Sequence, residues 1–453
     1  MRVWGGWVVL AGVAVIFNNS LTEVTVGGGS FLGDVLVIGG GPTGLMAALT
    51  AARAGADVIL ADEDARLGGR LNAETYAIDG APGAHWAGEV VAELEAMDNV
   101  RLMRRTTITG VYDQGTYGAL EKVSQHVRNR RLGAPLETFW RIVAKRSILA
   151  AGAIERPVAF QNNDRPGIMT AGAVRAYLNH WGVSPGQAVT VFGNNDDAHR
   201  TAHDLVSAGV HVAALIDSRW DAKASGEFPV YKGAEVCGAS GRKALESITV
   251  RSPRGEQKIG TDCLAMSGGW NPSLHLTCHL NGRPTWRDDI ESFVPTPGSV
   301  PGMVAAGACN GEFSTAECLD GGVAAATAVL EELGLKPVRM EAPIADDTPY
   351  AVTALWSVPG KGRAWLDFQN DVSVKDVKQA ATENFRSVEH MKRYTTQGMA
   401  TDQGKNSNVA ALAILADVTG REIAQTGTTT FRPPDSPVAI AAIGASCQGD
   451  GFA

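Results

Sequence analysis

A complete strand–helix–strand nucleotide cradle, Asp34–Gly69, constrains this 453-residue chain more than any other stretch. The apolar run Asp34–Ile38 predicts a buried parallel strand, and glycines follow it at once in the spacing G-x-G-x-x-G. An alanine-rich helix is expected over 45–54, and a second strand over Val58–Ala61. The acid Asp62 stands about twenty residues past the glycines, where a dinucleotide's ribose is bound in such cradles. The sequence therefore predicts a dinucleotide-binding site.

Each glycine of this cradle has an expected task. Gly39 permits the tight turn, Gly41 lets the backbone approach a pyrophosphate, and Gly44 lets the helix pack on the strand. The helix N-terminus offers N–H groups to the negative charge. Asp62 and Glu63 are expected to meet the adenosine ribose hydroxyls and to disfavour NADP by repelling a 2′-phosphate. The candidate cofactor-binding residues are Gly39, Gly41, Pro42, Thr43, Gly44, Asp62, Glu63, Gly68, Gly69, Arg70, Gly152 and Gly307.

Composition excludes several other classes of protein. The net charge is −8 and no basic stripe appears, which argues against a nucleic-acid surface. Six cysteines without a C-x-x-C pair are too sparse for a disulfide scaffold and fit a reducing cytoplasm. The apolar run Trp4–Phe17 is too short for a confident membrane span. We expect it to belong to no folded domain, and we expect no membrane partner.

A second strand–helix–strand pattern covers 187–217, but its phosphate loop is poor. Asn195 replaces the middle glycine, and Asp196 and Asp197 place negative charge where a pyrophosphate would lie. This unit is expected to be structural.

Two histidine pairs could suggest a metal site. His199 and His203 are one helical turn apart, and His275 and His279 flank Cys278. No third ligand is evident for the first pair, so packing roles are expected for both and no metal is predicted.

Two further strands that end in glycine are expected at Arg146–Gly152 and Met303–Gly307, and a helix is expected from near Gly321. These strands are expected to return the chain to the first sheet. The predicted fold class is α/β: two Rossmann-type domains, one inserted in the other, then a small mainly helical C-terminal domain. The expected boundaries are 1–30 for a non-conforming segment, 31–164 with 296–340 for the dinucleotide domain, 165–295 for the insert, 345–432 for the helical domain and 433–453 for a tail.

Long, idiosyncratic strings give the chain a family likeness. They include RTTITGVYDQG (105–115), ERPVAFQNNDRPGIMTAGAVRAYLNHWGV (155–183), SGGWNPSLHL (267–276), ENFRSVEHMKRYTTQGMATDQGKNSNV (383–409) and GTTTFRPP (427–434). In these the chain resembles the α subunit of heterotetrameric sarcosine oxidase and, more loosely, the α subunits of opine and proline dehydrogenases and cyanide synthase.

The resemblance also shows departures. Family members usually carry a further N-terminal domain and continue past GTTTFRPP into a folate-binding aminomethyltransferase-like domain. We expect neither in this chain, and truncation would explain both ends. Capture of the one-carbon unit on folate is therefore not expected of this polypeptide.

The resemblance implies NAD in the first cradle, FAD in a partner β subunit, with FMN between the two. The motif alone predicts FAD. Flavoproteins of this architecture usually end the late strand in Gly-Asp, whose carboxylate binds the ribitol, but here Gly307 is followed by Ala308. NAD has no ribitol, so NAD is preferred and FAD remains the alternative.

Related members of this family hold an iron–sulfur cluster through cysteines in the C-terminal region. The matching stretches here, 367–369 and 402–407, contain no thiol, and thiolates are what a cluster needs. We expect the scaffold without the cluster.

The implied function is support of the oxidative demethylation of sarcosine, a small secondary amine, to glycine, together with smaller subunits and a flavoprotein β subunit. No amine-oxidising residue is evident in the chain, so its catalytic residues are not assigned and it is expected to be inactive alone. The alternatives are the α subunit of an opine, proline or other amino-acid dehydrogenase, and a catalytically silent scaffold.

Overall fold

The computed structural model describes residues 27–131, 134–346 and 350–444. The apolar run Trp4–Phe17 and Cys447 lie outside these ranges. No helix within them combines the length and apolar character needed to cross a bilayer.

The strands and helices follow in chain order. The strands are β1 (Gly27–Ile38), β2 (Val58–Ala61), β3 (Ala77–Ile78), β4 (Ala81–Pro82), β5 (Val100–Met103), β6 (Thr106–Tyr112), β7 (Thr116–Lys122), β8 (Glu137–Leu149), β9 (Ala153–Glu155), β10 (Ile168–Thr170), β11 (Ala188–Gly193), β12 (His211–Asp217), β13 (Val230–Lys232), β14 (Glu235–Ser240), β15 (Ser247–Ser252), β16 (Gly255–Gly260), β17 (Cys263–Ser267), β18 (Trp270–Pro272), β19 (Thr285–Arg287), β20 (Ser292–Val294), β21 (Met303–Ala305), β22 (Trp365–Asp367) and β23 (Val372–Ser373). The α-helices are α1 (Pro42–Arg53), α2 (Gly83–Glu95), α3 (Ala171–Arg175), α4 (Asp196–Ser207), α5 (His275–Cys278), α6 (Thr315–Glu332), α7 (Val374–Thr382), α8 (Val388–Thr395), α9 (Asn408–Thr419), α10 (Ile423–Thr426) and α11 (Ile440–Gly444). Shorter turns of helix are Gly69–Ala73, Ala176–His180 and Gly307–Asn310.

A seven-stranded mixed sheet forms the first unit, in the order β5-β2-β1-β8-β7-β6 with β21 also on β8. The strands β5, β2, β1, β8 and β21 are parallel to one another, whereas β7 is antiparallel to both β8 and β6. Side chains alternate across β1: Val35 and Val37 pack under α1 and α6, while Leu36 and Ile38 face the opposite core. Because both faces are covered there, the stretches 35–38 of β1 and 58–61 of β2 are apolar throughout.

A five-stranded parallel sheet, β10-β17-β11-β12-β13, forms the inserted unit. A three-stranded antiparallel sheet, β14-β15-β16, follows β13 and covers one side of it. The chain leaves the first sheet after β8 and rejoins it at β21, so the inserted unit interrupts the first one.

The C-terminal unit contains the β22–β23 hairpin and helices α7 to α10. Its core includes Val377 and Leu415 but also Leu274 and Phe293, so it shares a core with the residues before it. This unit, expected to be mainly helical, also contains two short strands, which pair as the antiparallel β22–β23 hairpin.

Helix boundaries were also misplaced in two predictions. The helix expected from near Gly321 begins at Thr315, because Ser314 and Glu317 form a reciprocal capping box there. The helix expected over 45–54 begins at Pro42, since proline is favoured in the first turn, where its missing N–H costs nothing.

Candidate functional site: a dinucleotide cavity on the first sheet

The glycine loop between β1 and α1 is shaped by contacts with backbone. Gly39 has φ +104°, and a Cβ there would overlap the carbonyl of Ala150. A Cβ on Gly44 would overlap the carbonyl oxygen of Gly39, so helix and strand can approach only without it. Around Gly41, by contrast, nothing lies within 4 Å of such a Cβ. The space at Gly41 is therefore open to a ligand.

A cavity of about 470 Å³ starts at this loop and extends along the carboxyl ends of the first sheet's strands. We call it the cradle cavity. Its size lies within the range of roughly 300–1,000 Å³ typical of small-molecule sites. Its predicted lining residues are Gly39, Gly41, Pro42, Thr43, Asp62, Glu63, Gly69, Arg70 and Gly152. A glycine loop, a helix N-terminus and an acid at the end of β2 fit a dinucleotide.

Three predicted residues lie behind this lining rather than in it. Gly44 lets α1 approach β1, and Gly68 donates its N–H to the carbonyl of Gly40 at 2.8 Å. Gly307 has φ +69° and is packed so closely on Thr43 that a Cβ would overlap the threonine side chain. These glycines shape the loop without facing the cavity.

The acids at the end of β2 brace the loop as well as lining the cavity. Asp62 Oδ2 accepts from the Gly40 N–H at 2.5 Å, and its Oδ1 accepts from the Asp64 N–H at 2.7 Å. Burial raises the pKa of Asp62, and burial together with the charges of Asp64 and Asp62 raises that of Glu63. Carboxylate oxygens accept more than one hydrogen bond, so Asp62 retains capacity for ribose hydroxyls.

After β21 the chain turns through Gly307 into Ala308, which lines the cavity with a methyl group. Glu312, the next acid along the chain, accepts from the Gly307 N–H at 2.8 Å and from Asn310 Nδ2 at 3.2 Å. Its carboxylate is thereby used to hold the turn.

An ion-pair cluster lies where the first and inserted units meet. Arg70 of the cavity lining is paired with Glu74 and with Asp197 of α4. Asp197 Oδ2 also accepts from Arg175 at 2.8 Å and from Trp270 Nε1 at 3.2 Å. The Arg70 guanidinium stacks over the Trp270 ring, 4.7 Å from its centre. Trp270 itself lines the cavity, so the inserted unit supplies part of its wall.

Glu155, at the end of β9, is a buried acid beside this cluster. Its Oε2 accepts from the Gly172 N–H at 2.6 Å. Burial, with the nearby charge of Asp197, raises the pKa of Glu155 to about 7. Sequence reasoning did not single it out.

The phosphate loop of the inserted unit is filled by its own chain. Asn195 caps α4, its Oδ1 accepting from the Ala198 N–H at 3.2 Å, and it is fully buried. The Asp196 N–H donates to the carbonyl of Ala351 at 3.1 Å, and the Thr353 N–H donates to that of Asn194 at 3.0 Å. A strand-like segment therefore covers the helix N-terminus that a pyrophosphate would need.

The four histidines singled out as possible ligands have packing or hydrogen-bonding partners. His199 Nε2 lies 2.6 Å from Asp217 Oδ2, and the ring of His203 packs near Phe228. His275 meets Phe431 edge-on, and His279 Nδ1 accepts from a backbone N–H at 3.3 Å. Within the described ranges no three His, Cys, Asp or Glu side chains are grouped so as to hold a metal.

A carboxylate connects the loop at 367–369, the first stretch matched to an iron–sulfur region, with the loop that leads into the second stretch, 402–407. Asp367 is 2% exposed, and its Oδ1 accepts from the N–H groups of Gln369 at 2.9 Å and Asn370 at 3.1 Å. Its Oδ2 accepts from the Gly398 N–H at 2.8 Å. An acid thus bridges these loops.

Several lining residues escaped sequence reasoning because they come from distant parts of the chain. The late segment supplies Lys405, Asp435 and Ser436, and other positions supply Thr106, Thr107, Trp270, His275 and Phe313. They carry no local nucleotide motif. The family-like strings include Thr106, Thr107, Trp270, His275 and Lys405, but not Phe313, Asp435 or Ser436.

The fold and cavity define a dinucleotide-binding α/β protein of the FAD-dependent oxidoreductase type. Residues 34–134 match the family described as FAD dependent oxidoreductase. L-proline dehydrogenase from P. horikoshii shares the fold, with a TM-score of 0.73 at 21% identity, over 92% of this chain and 80% of that one. T. acidophilum thioredoxin reductase aligns with a TM-score of 0.52 at 18% identity, over 67% of this chain and 99% of that one.

More particularly, the chain belongs to the sarcosine oxidase α-subunit family. Residues 361–447 match the sarcosine oxidase A3 domain. The chain is 46% identical to the alpha subunit of sarcosine oxidase from Rhizobium meliloti (strain 1021), over 92% of this chain and 43% of that protein. It is 38% identical to that from Corynebacterium sp. (strain P-1), over 92% and 46%. The opine oxidase A subunit from Rhizobium meliloti is 25% identical, over 90% and 86%. The chain thus spans less than half of the sarcosine oxidase α subunits it matches.

These comparisons confirm the predicted family and the α/β fold class. For the cofactor they support a flavin-type cradle, since the family matched over 34–134 is FAD-dependent.

Proposed function

We propose that this chain is the dinucleotide-binding part of an α subunit that supports oxidation of sarcosine to glycine. The proposal rests on 46% identity to a sarcosine oxidase α subunit over nearly the whole chain. In this reaction two electrons and a proton leave the N-methyl group of the amine, and water hydrolyses the resulting imine to glycine and formaldehyde. We assign the electron acceptor to a flavoprotein β subunit, with FMN shared between the subunits and smaller subunits completing the assembly. We place the assembly in the cytoplasm.

For the cradle cavity we propose NAD as the resident dinucleotide and FAD as the alternative. The observation that carries the preference is Ala308, a methyl group where a flavin's ribitol would need an acceptor, with Glu312 held by the Gly307 turn. When bound, the dinucleotide would lie with its pyrophosphate at Gly41 and its adenosine ribose at Asp62 and Glu63. The chain's own part is to bind and orient it.

Replacing the methyl group tests this preference. Ala308→Asp restores the Gly-Asp pair and should raise FAD affinity relative to NAD, because the new carboxylate can accept from ribitol hydroxyls. Fluorescence titration of the unaltered chain and the variant with FAD and NAD measures the ratio. An unaltered chain that already prefers FAD would contradict the NAD assignment.

Activity is expected only with the partner. The isolated chain, supplied with NAD and FMN, should release no hydrogen peroxide from sarcosine, and co-expression with a β-type flavoprotein subunit should restore release. The reason is that the β-type subunit is expected to supply the residues that orient the amine against the flavin. Peroxide produced by the chain alone would refute this division of labour.

A second candidate function is that of the corresponding component of an opine oxidase. The supporting observation is that the match covers 86% of the opine oxidase A subunit from Rhizobium meliloti, although at only 25% identity. The co-expressed assembly distinguishes the two, because turnover of opines but not sarcosine would favour the second candidate.

A further inference from the structure

The end of the cradle cavity beside Asp62 and Glu63 is walled by residues more than 300 positions later in the chain. Lys405 comes from the loop before α9, and Asp435 and Ser436 follow α10. This outer wall faces the acids expected to bind the adenosine ribose. No nucleotide motif includes it.

The outer wall is fastened to both of its neighbours. Lys405 Nζ donates to Asp435 Oδ2 at 3.0 Å and to the Asp435 carbonyl at 2.8 Å. The Asp435 N–H donates to the carbonyl of Thr109 on β6 at 2.6 Å. Gln403 Nε2 donates to the Pro434 carbonyl at 2.7 Å. The outer wall is therefore a hydrogen-bonded contact between the C-terminal unit and the first sheet.

Without the outer wall, the end of the cavity beside Asp62 would carry an excess of negative charge. Three consecutive acids, Asp62, Glu63 and Asp64, line it. Among the described lining residues, the other side chain with a permanent positive charge is Arg70, which is held by Asp197 and Glu74. Lys405 acts on Glu63 so as to lower its pKa, against the stronger effect of burial. Lys405 thus supplies the positive charge that offsets the three acids at this end of the cavity.

An ammonium group has three N–H donors. Asp435 is the one described residue that accepts from Lys405, through two oxygens. The side chains of Lys405 and Asp435 are each 17% exposed, so the third donor has little bulk water to satisfy it. A ligand acceptor in the cavity would do so.

We propose that Lys405 and Asp435 are adenosine-binding and specificity-determining residues of the cradle cavity. Lys405 donates to a ribose oxygen or purine ring nitrogen of the adenosine half. Asp435 positions Lys405 and cancels its charge, so the site gives no advantage to a 2′-phosphate. This inference deepens the proposed function and rests on its dinucleotide site, but it holds for NAD and FAD alike because both contain ADP.

The probes are ADP and 2′,5′-ADP, titrated calorimetrically into the full chain. Lys405→Met keeps the aliphatic stem and removes the donor, and it should weaken ADP binding about tenfold, the scale of one charge-assisted hydrogen bond. Lys375→Met is the matched control, because Lys375 is exposed on α7 and does not line the cavity. It should bind ADP as the unaltered chain does.

Asp435→Asn keeps the side-chain shape and frees the lysine charge. It should shift the ratio of 2′,5′-ADP to ADP affinity toward 2′,5′-ADP by about tenfold, as expected for one uncompensated charge near a phosphate. Amide exchange gives a readout independent of affinity: ADP should slow exchange of the Asp435 N–H in the unaltered chain and much less in Lys405→Met.

The outcomes distinguish failure of the outer wall from failure of the dinucleotide site itself. If ADP binds the unaltered chain and Lys405→Met equally well, and exchange at Asp435 does not respond to ADP, the outer wall has no binding role. An unchanged ratio in Asp435→Asn refutes its part in specificity. If ADP does not bind the unaltered chain, the proposed dinucleotide site falls together with this inference.

Discussion

The carboxylate of Asp197, in the first turn of α4, is paired with the guanidinium of Arg70, beside the glycine loop of the first sheet. A helix N-terminus in a nucleotide fold ordinarily meets a phosphate of the ligand. Here the anion belongs to the protein, and it is neutralised by arginines of both units. The degenerate phosphate loop of the inserted unit thus forms an ion-pair contact that links the two sheets.

Asp197→Asn should destabilise the fold strongly. Burial acts to raise the pKa of Asp197, but the surrounding arginines, Arg175 foremost, hold it well below its usual value. Removing the charge leaves three guanidinium groups, those of Arg70, Arg175 and Arg200, to share the one carboxylate of Glu74. The resulting excess of positive charge costs about 3–5 kcal/mol, as for a broken buried pair. Urea unfolding measures the loss.

The neighbouring acid is the control for this experiment. Asp196 is one-third exposed and is paired with Arg219, which retains Asp217 as a second partner. Asp196→Asn should therefore cost less than about 1 kcal/mol. Equal losses of unfolding free energy for the two variants would show that the Asp197 ion pairs do not contribute more to stability than an exposed pair does.

No iron–sulfur cluster should be reconstituted in this chain. The two stretches matched to the cluster region, 367–369 and 402–407, contain no thiolate ligand, and Asp367 in the first of them accepts from backbone N–H groups instead. Anaerobic reconstitution with visible absorption and iron and sulfide analysis tests this. Stoichiometric iron and sulfide with a broad charge-transfer band would overturn it.

The same carboxylate should matter for stability. Asp367→Ala leaves the buried Gly398 N–H and two partly buried N–H groups without this acceptor and should cost about 1–3 kcal/mol. Asp417→Ala, at an exposed position on α9, should cost little. Thermal unfolding of both variants makes the comparison.

Stability should fall as the pH drops from about 6.5 to about 4, in part through His275. Burial lowers the pKa of His275 to about 4. The unfolded chain binds that proton below about pH 6.5, while the folded chain binds it only near pH 4, so acid favours unfolding by on the order of 3 kcal/mol. His275→Phe keeps the ring against Phe431 and should flatten this part of the pH profile. An unchanged profile would show that His275 is not the group responsible.

The first cradle was the most predictable part of the molecule. Its strand, glycines, helix and acid are contiguous, and each requirement is local: Gly39 needs positive φ, and Gly44 must lack a Cβ. The helix start at Pro42 and the capping box at Ser314 were also visible locally, although their boundaries were misjudged.

The far walls of the cavity could not be predicted in the same way. Tertiary packing brings Trp270, Lys405 and Asp435 to the cavity. The residues next to them in the sequence form no motif that predicts nucleotide binding. The two acids at Asp196 and Asp197 did signal a loop unsuited to phosphate. Their ion-pair partners and the covering segment around Ala351 required the structure.

We propose that the first cradle, and not the second, holds NAD. Gly41→Val should fold normally, since nothing lies within 4 Å of the added carbon, yet abolish binding because the side chain takes the space of the pyrophosphate. Asn195→Ser, which retains a helix-capping oxygen, should bind NAD unchanged.

Calorimetric titration of NAD into the unaltered chain and these two variants shows which cradle binds the dinucleotide. We expect one NAD per unaltered chain, one per Asn195→Ser chain and none for Gly41→Val. Retention of NAD by Gly41→Val together with its loss from Asn195→Ser would contradict this proposal.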